Sequence, residues 1–165
     1  MMITLTGFMG SGKTTVGKVL ADFLGCPFMD LDDLVVKKAG KSIPDIFAQD
    51  GEPAFRQLEA RLLRQTVEKY AENTAVLALG GGAVTTPASA ALLHEKTVCI
   101  YLRATLDTLL QRLAGETASR PLADDAMAAR LAEREPLYEE TAHVIVDTDG
   151  LAPDEVADEI IISAL

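Results

Sequence analysis

Cysteine and histidine are scarce in this 165-residue chain, with two of each. Cys26 and Cys99 fall in apolar segments and read as small, reduced core residues. That excludes a disulfide framework and a cysteine-built metal site. His94 and His143 have no partners at ligand spacing, so neither receives a metal-binding or catalytic role. No apolar run reaches the length of a membrane span, because Asp22, Asp30, Asp32 and Asp33 interrupt the N-terminal third. A secretory pattern is lacking as well, since the apolar start leads directly into a glycine-rich loop. Repeats, low-complexity tracts and long linkers are absent. Positive charge is also in short supply: 15 Lys and Arg stand against 25 Asp and Glu, for a net charge of −10. A nucleic-acid surface would need a basic stripe, and this balance argues against one. The expectation is a cytoplasmic protein with neither a nucleic-acid nor a membrane partner. No long apolar surface stripe stands out, so a monomer is expected.

What is present is apolar and patterned. Hydrophobic residues make up 48% of the chain, enough for a core without disulfides. Strand patterns fall near 2–6, 27–30, 75–79, 97–102 and 143–147. Helical patterns fall near 13–24, 31–39, 53–70, 87–94, 106–114, 126–140 and 153–164. Ser42 with Pro44, Thr86 with Pro87, and Thr105 with Asp107 suit helix caps and first turns. The runs Val76–Leu79 and Val98–Leu102 are continuously apolar rather than alternating, as in a parallel sheet covered on both faces. The chain therefore reads as one α/β domain over 1–165, with a mostly parallel five-stranded sheet. Ligands are expected at the carboxyl ends of the strands. Gly115 to Asp125 has weak periodicity between two good helices and contains Arg120-Pro121, so it reads as a mobile lid.

The strongest motif is Gly7-Phe8-Met9-Gly10-Ser11-Gly12-Lys13-Thr14, which fits the phosphate-binding loop pattern. It follows an apolar strand and opens a helix with Val16, Val19, Leu20, Phe23 and Leu24 at helical spacing. Backbone amides and a helix N-terminus then face an anion, and the glycines permit close approach. Lys13 reaches the β- and γ-phosphates of a purine nucleoside triphosphate, and the Thr14 hydroxyl holds Mg²⁺.

A second group of residues surrounds that loop. Asp30-Leu31-Asp32 ends the second strand, where alternation would aim both carboxylates into one cleft. One carboxylate would bind Mg²⁺, directly or through water, and the other would accept a proton from a substrate hydroxyl. Arg56 and Glu59 share a helix face. Arg56 would grip an anionic substrate group while Glu59 orients it; the alternative is a surface ion pair. Gly80-Gly81-Gly82 follows the third strand and lets another molecule touch backbone amides. Arg112 and Arg134, taken singly, read as solvated residues.

As an ordered set these motifs resemble the shikimate kinase family, within the nucleoside-monophosphate-kinase-like phosphate-loop proteins. The set comprises Gly7–Thr15, Asp30-Leu31-Asp32, Ile46-Phe47 before Asp50-Gly51-Glu52, Phe55-Arg56-Gln57-Leu58-Glu59, Gly80-Gly81-Gly82, Arg120-Pro121-Leu122, and Arg134 before Pro136-Leu137-Tyr138. The resemblance implies ATP-dependent phosphorylation of the 3-hydroxyl of shikimate, in the route to chorismate and the aromatic amino acids. It implies that Asp32 binds the hydroxyls and acts as base, and that Asp30 joins Thr14 in the Mg²⁺ shell. Arg56, Arg134 and the Gly80–Gly82 backbone would hold shikimate, with Phe47, Phe55 and Pro121 walling its ring. Gly10, Ser11, Gly12, Lys13, Thr14 and Thr15 would hold the ATP phosphates, joined by Arg120 from the lid. Arg112 and Pro153 would border the adenine. Acceptor-binding helices would span about 31–62 and the lid about 115–125. The lid reads Arg-Pro-Leu-Ala where the family often has a second Leu, so Ala123 departs from the pattern.

Three rival classes share part of this chemistry. One is a non-catalytic nucleotide-binding module, which would tend to lose the metal or base carboxylate, whereas Asp30 and Asp32 are both present. A kinase for another small hydroxylated acid, such as gluconate, would also use paired arginines. A GTPase-like switch would need an Asn-Lys-x-Asp guanine motif, which is absent.

Overall fold

Five strands with alternating helices build the chain, and the structure, a computed structural model, describes residues 1–116 and 124–165. In order these are β1 (Met2–Thr6), α1 (Lys13–Leu24), β2 (Phe28–Asp30), α2 (Leu31–Ala39), α3 (Ile43–Asp50) and α4 (Glu52–Lys69). Then come β3 (Ala75–Ala78), a 3-10 turn (Ala83–Thr85), α5 (Pro87–Lys96), β4 (Val98–Arg103), α6 (Leu106–Glu116), α7 (Asp124–Thr141), β5 (Val144–Asp147) and α8 (Pro153–Ala164). The sheet order is β2-β3-β1-β4-β5, parallel throughout. This is the five-stranded α/β fold expected. Arg120, Pro121 and the expected lid between 117 and 123 lie outside the described residues.

The continuous apolar runs divide by parity between two layers, because successive strand side chains point to opposite faces. Met2, Leu77, Cys99 and Tyr101 pack with Leu63, Leu93, Leu109 and Tyr138 on one face. Ile3, Leu5, Val76, Ile100 and Leu102 pack with Val16 and Leu20 of α1 and Val156 and Ile160 of α8 on the other. A smaller third cluster, Val35, Ile46 and Phe55, ties α2, α3 and α4 together beside the main sheet. Cys99 is fully buried and Cys26 half-buried, both as free thiols.

Helix α3 has no counterpart among the helical patterns read from sequence. Its cap was legible: the Ser42 side chain accepts from the Asp45 amide at 3.3 Å, and Pro44 sits in the first turn. Eight residues are too few for a periodic signal, and Gly51 (φ 86°) breaks the chain before α4 begins.

Because the sheet is parallel, all five strands deliver their carboxyl ends to one edge. The phosphate loop, Asp30, the Gly80–Gly82 turn and the loop after β5 gather there. His94 and His143 lie at the opposite end, stacked at 4.6 Å between ring centroids. His143 Nδ1 accepts from the Cys99 amide at 3.0 Å, its Nε2 faces the His94 carbonyl at 2.8 Å, and His94 Nδ1 faces the Thr141 carbonyl at 3.2 Å, so both rings are tied to backbone groups.

Candidate active site

The phosphate loop wraps back on itself. Gly10 (φ 81°) and Gly12 (φ 92°) occupy left-handed conformations that other residues enter at a cost. Lys13, the first residue of α1, folds over the loop and donates to the carbonyls of Gly7 (2.7 Å) and Phe8 (2.9 Å). Burial pulls its ammonium down to about 8, against the Asp32 and Asp30 carboxylates, which favour the charge. The Ser11 hydroxyl is buried without a partner among the described residues. Such a group is stabilised by an arriving acceptor.

Asp30 performs two tasks at the end of β2. One oxygen, Oδ1, caps α2 by accepting from the amides of Asp32 (2.9 Å) and Asp33 (3.4 Å). The other, Oδ2, accepts from the Thr14 hydroxyl at 2.8 Å. Asp32 reaches the cleft by a different route from the one the sequence suggested. The strand stops at Asp30, and Asp32 enters from the first turn of α2 rather than by strand alternation. Burial and the neighbouring Asp30 raise the Asp32 carboxyl above the ordinary range, opposed by Lys13 and Arg56.

The three glycines after β3 provide space. A Cβ on Gly80 would lie 2.8 Å from Asp32 Oδ1 and 3.1 Å from Glu59 Oε2. One on Gly82 would lie 2.7 Å from Arg56 Cζ. Gly81 faces Arg134, whose Nη1 would be 3.5 Å from such an atom, and its carbonyl accepts from the Tyr138 hydroxyl. Carboxylates therefore crowd the Gly80 end of the turn and guanidiniums the Gly81–Gly82 end.

Arg56 is fixed from several sides. It donates to Glu59 Oε1 at 2.8 Å, stands 3.6 Å from Glu52 Oε1, and lies over the Phe55 ring at 5.0 Å. Phe55 in turn packs on Phe47 at 4.9 Å between centroids. Glu59 is 1% exposed, and its Oε2 has no hydrogen-bond partner among the described residues. Burial raises its carboxyl, while Arg56 holds it down. Of the two readings of this pair, a solvent-exposed surface bridge does not match a glutamate this deeply enclosed.

Two hollows result. One, of about 180 Å³, is lined by Asp32, Phe47, Phe55, Arg56, Gly80–Gly82 and Arg134, together with Glu59, Met9, Ile43 and Arg130. The other, of about 310 Å³, is lined by Gly10, Ser11, Gly12, Thr15, Arg112 and Pro153, with Thr148, Leu151 and Val156. Arg112 donates from Nη1 to the Gly10 carbonyl (3.2 Å) and from Nη2 to the Thr148 carbonyl (3.3 Å), bridging the phosphate loop to the turn after β5. Ile43, Arg130, Thr148, Leu151 and Val156 had not been singled out from sequence, and Met9 had entered only as an interior position of the phosphate loop. Arg130 carried one usable signal, its position a single helical turn before Arg134. Thr148 carried another, its place at a strand's carboxyl end.

Comparison with known proteins gives the family. The family model for shikimate kinase matches residues 9–164. The shikimate kinase of Enterococcus faecalis is 42% identical over 164 residues, covering 96% of this chain and 95% of that protein. That of Salinibacter ruber is 44% identical over 162 residues, covering 90% and 78%. Among solved structures, shikimate kinase from Acinetobacter baumannii in complex with shikimate has a TM-score of 0.86 at 36% identity, covering 97% of this chain and 90% of that one. Shikimate kinase from Aquifex aeolicus has a TM-score of 0.84 at 36% identity, covering 99% and 95%. On sequence, family model and fold alike, the chain belongs to the shikimate kinase family.

Proposed function

We propose that this protein transfers the γ-phosphoryl group of ATP to the 3-hydroxyl of shikimate, giving shikimate 3-phosphate and ADP. The observation that carries the reading is the acceptor cleft. It sets a carboxylate, Asp32, at one end of a glycine turn and two guanidiniums, Arg56 and Arg134, at the other, beside a phosphate loop. A hydroxylated acid satisfies both ends. Arg56 and Arg134 hold its carboxylate, with Phe47 and Phe55 against the ring. Asp32 orients the 3-hydroxyl, and its raised pKa suits it to take the proton as the oxygen–phosphorus bond forms. The bond from the γ-phosphorus to the bridging oxygen breaks, and ADP leaves.

Phosphoryl transfer passes through a loose transition state, so the protein's work is positioning and charge stabilisation. Lys13 exchanges its carbonyl partners for the β- and γ-phosphates. Gly10, Ser11, Gly12, Thr14 and Thr15 present donors to the phosphates, and Arg112 and Pro153 flank the base. Arg120, outside the described residues, is taken to supply a further positive charge to the phosphates, with the lid taken as about 115–125 and the acceptor-binding helices as about 31–62, within one unit of 1–165. Thr14 Oγ1 and Asp30 Oδ2, already 2.8 Å apart, form a hard oxygen donor pair that fits Mg²⁺. Bound there, that ion would neutralise phosphate charge. The two free thiols accord with a reducing cytoplasm, and the enzyme is taken to work as a monomer, without nucleic acid or membrane. Among the described residues, no helix is long and apolar enough to cross a membrane.

The test is ADP release with Mg-ATP, with and without shikimate, beside gluconate and AMP. Stimulation by shikimate alone is the expected result. Stimulation by gluconate would keep the phosphate site and overturn the acceptor.

A further inference from the structure

Arg130 lines the acceptor cleft, yet it belongs to none of the motifs that define the site. It stands on α7 four residues before Arg134. That spacing puts both on one helix face, their Cα atoms about 6 Å apart along the axis. It also borders the adjoining hollow formed by Phe8, Met9, Ala126 and Met127, so it sits where the phosphate loop meets the mouth of the cleft. Its side chain is exposed, and no described residue forms an ion pair with it.

Charge balance in the cleft gives this position its meaning. Arg56 is neutralised where it stands by Glu59 at 2.8 Å and Glu52 at 3.6 Å. Asp32 adds a further carboxylate to the same space. Around this lies a chain of net charge −10. An anionic acceptor therefore depends on cations without a carboxylate partner. Two like charges one turn apart repel in the empty protein, and that repulsion is relieved when one anion lies between them.

We propose that Arg130 is a third guanidinium for the carboxylate of the acceptor, joining Arg134 from the cleft mouth and setting the preference for acids over neutral analogues. This rests on shikimate being the acceptor. Shikimate binding to the nucleotide-free protein, measured by calorimetry, tests it in wild type, Arg130→Gln and Arg130→Lys, with shikimate methyl ester as the neutral probe. The Gln variant is expected to weaken shikimate binding about tenfold, the size of one screened charge-assisted contact. The Lys variant should recover part of that loss, and the ester should bind wild type and Gln variant alike. The steady-state effect should fall on the KM for shikimate more than on kcat. Unchanged shikimate affinity in Arg130→Gln would overturn the proposal. Equal losses for acid and ester would also overturn it, because the residue would then be shaping the cleft rather than reading charge. A rise in the KM for ATP with shikimate binding intact would reassign the guanidinium to the phosphates. Failure of wild type to bind or turn over shikimate would instead reject the acceptor itself, and this inference with it.

Discussion

Gly82 has no room for a side chain, and its neighbour Arg56 depends on that. A methyl group there would meet the guanidinium carbon at 2.7 Å. Gly82→Ala is expected to displace Arg56 and raise the KM for shikimate about tenfold, seen in steady-state kinetics. Asp32→Asn keeps the shape of the side chain and removes the proton acceptor. It should lower kcat by about 100-fold. Its stability should move the other way. The Asp32 and Glu59 carboxyls have raised folded pKa values, so their contribution to stability is full below the ordinary carboxylate range. It is lost as pH rises through the raised values. At pH 7 the Asn variant should therefore melt no lower than wild type, and its advantage should vanish at acid pH. A lower melting temperature at neutral pH would contradict the burial cause. Lys13 behaves in the opposite sense. Its folded value, about 8, lies below the ordinary 10.5, so a charged Lys13 costs stability at pH 7 and the cost fades as pH rises toward 10.5. Phosphates need the charged form, so ATP binding above pH 8 should take up a proton. Calorimetry in buffers of different ionisation enthalpy would detect it, and Lys13→Met should abolish the uptake.

At the scale of elements, α1 presses on the sheet through Gly17. A Cβ there would lie 3.1 Å from Phe28 Cδ1 and 3.3 Å from Leu5 Cδ1, with Phe28 Cε1 closer still. Alanine favours helix over glycine by about 1 kcal/mol. Overpacking costs about 1–3 kcal/mol. The clash should win, and Gly17→Ala should lower the melting temperature despite its better propensity. Tyr138 links α7 to the glycine turn through the Gly81 carbonyl. Tyr138→Phe should cost about 1–2 kcal/mol of stability in chemical denaturation. The strands and longer helices were legible because their apolar periods run over enough residues to be read. Helix α3 was not, since Ile43, Ile46 and Phe47 supply less than two turns before Gly51. Asp32 shows a subtler limit. Its arrival in the cleft was legible from the Asp-x-Asp spacing, and the helix read over 31–39 already contained it. The strand alternation offered as its route does not operate, because the Asp30 side chain caps α2 at once and puts Asp32 in the first helical turn.

Across the whole molecule, binding at the strand edge should register as stability everywhere. A ligand at a hundredfold excess over its Kd adds about 2.7 kcal/mol. For a chain of this length that corresponds to about 5–10 °C in Tm. Mg-ATP is expected to produce such a shift, and Lys13→Met should lose most of it. The continuous apolar runs made a parallel sheet legible. They did not give the strand order, which depends on which loops cross which face. Nor could sequence spacing reveal that Thr148 and Gly10 share Arg112, since those residues meet only after β5 and β1 take their places around β4.

The parallel sheet also decides where this protein can be held. Met1 donates to the Asn73 carbonyl beside the start of β3, at the edge away from both hollows. Helix α8 begins at the nucleotide hollow with Pro153 and runs 12 residues, about 18 Å, back toward that same edge. Met1 and the far end of α8 thus lie on the side of the sheet away from both hollows. A tether attached on that side, to a bead, a surface or a fused partner, stands clear of both clefts.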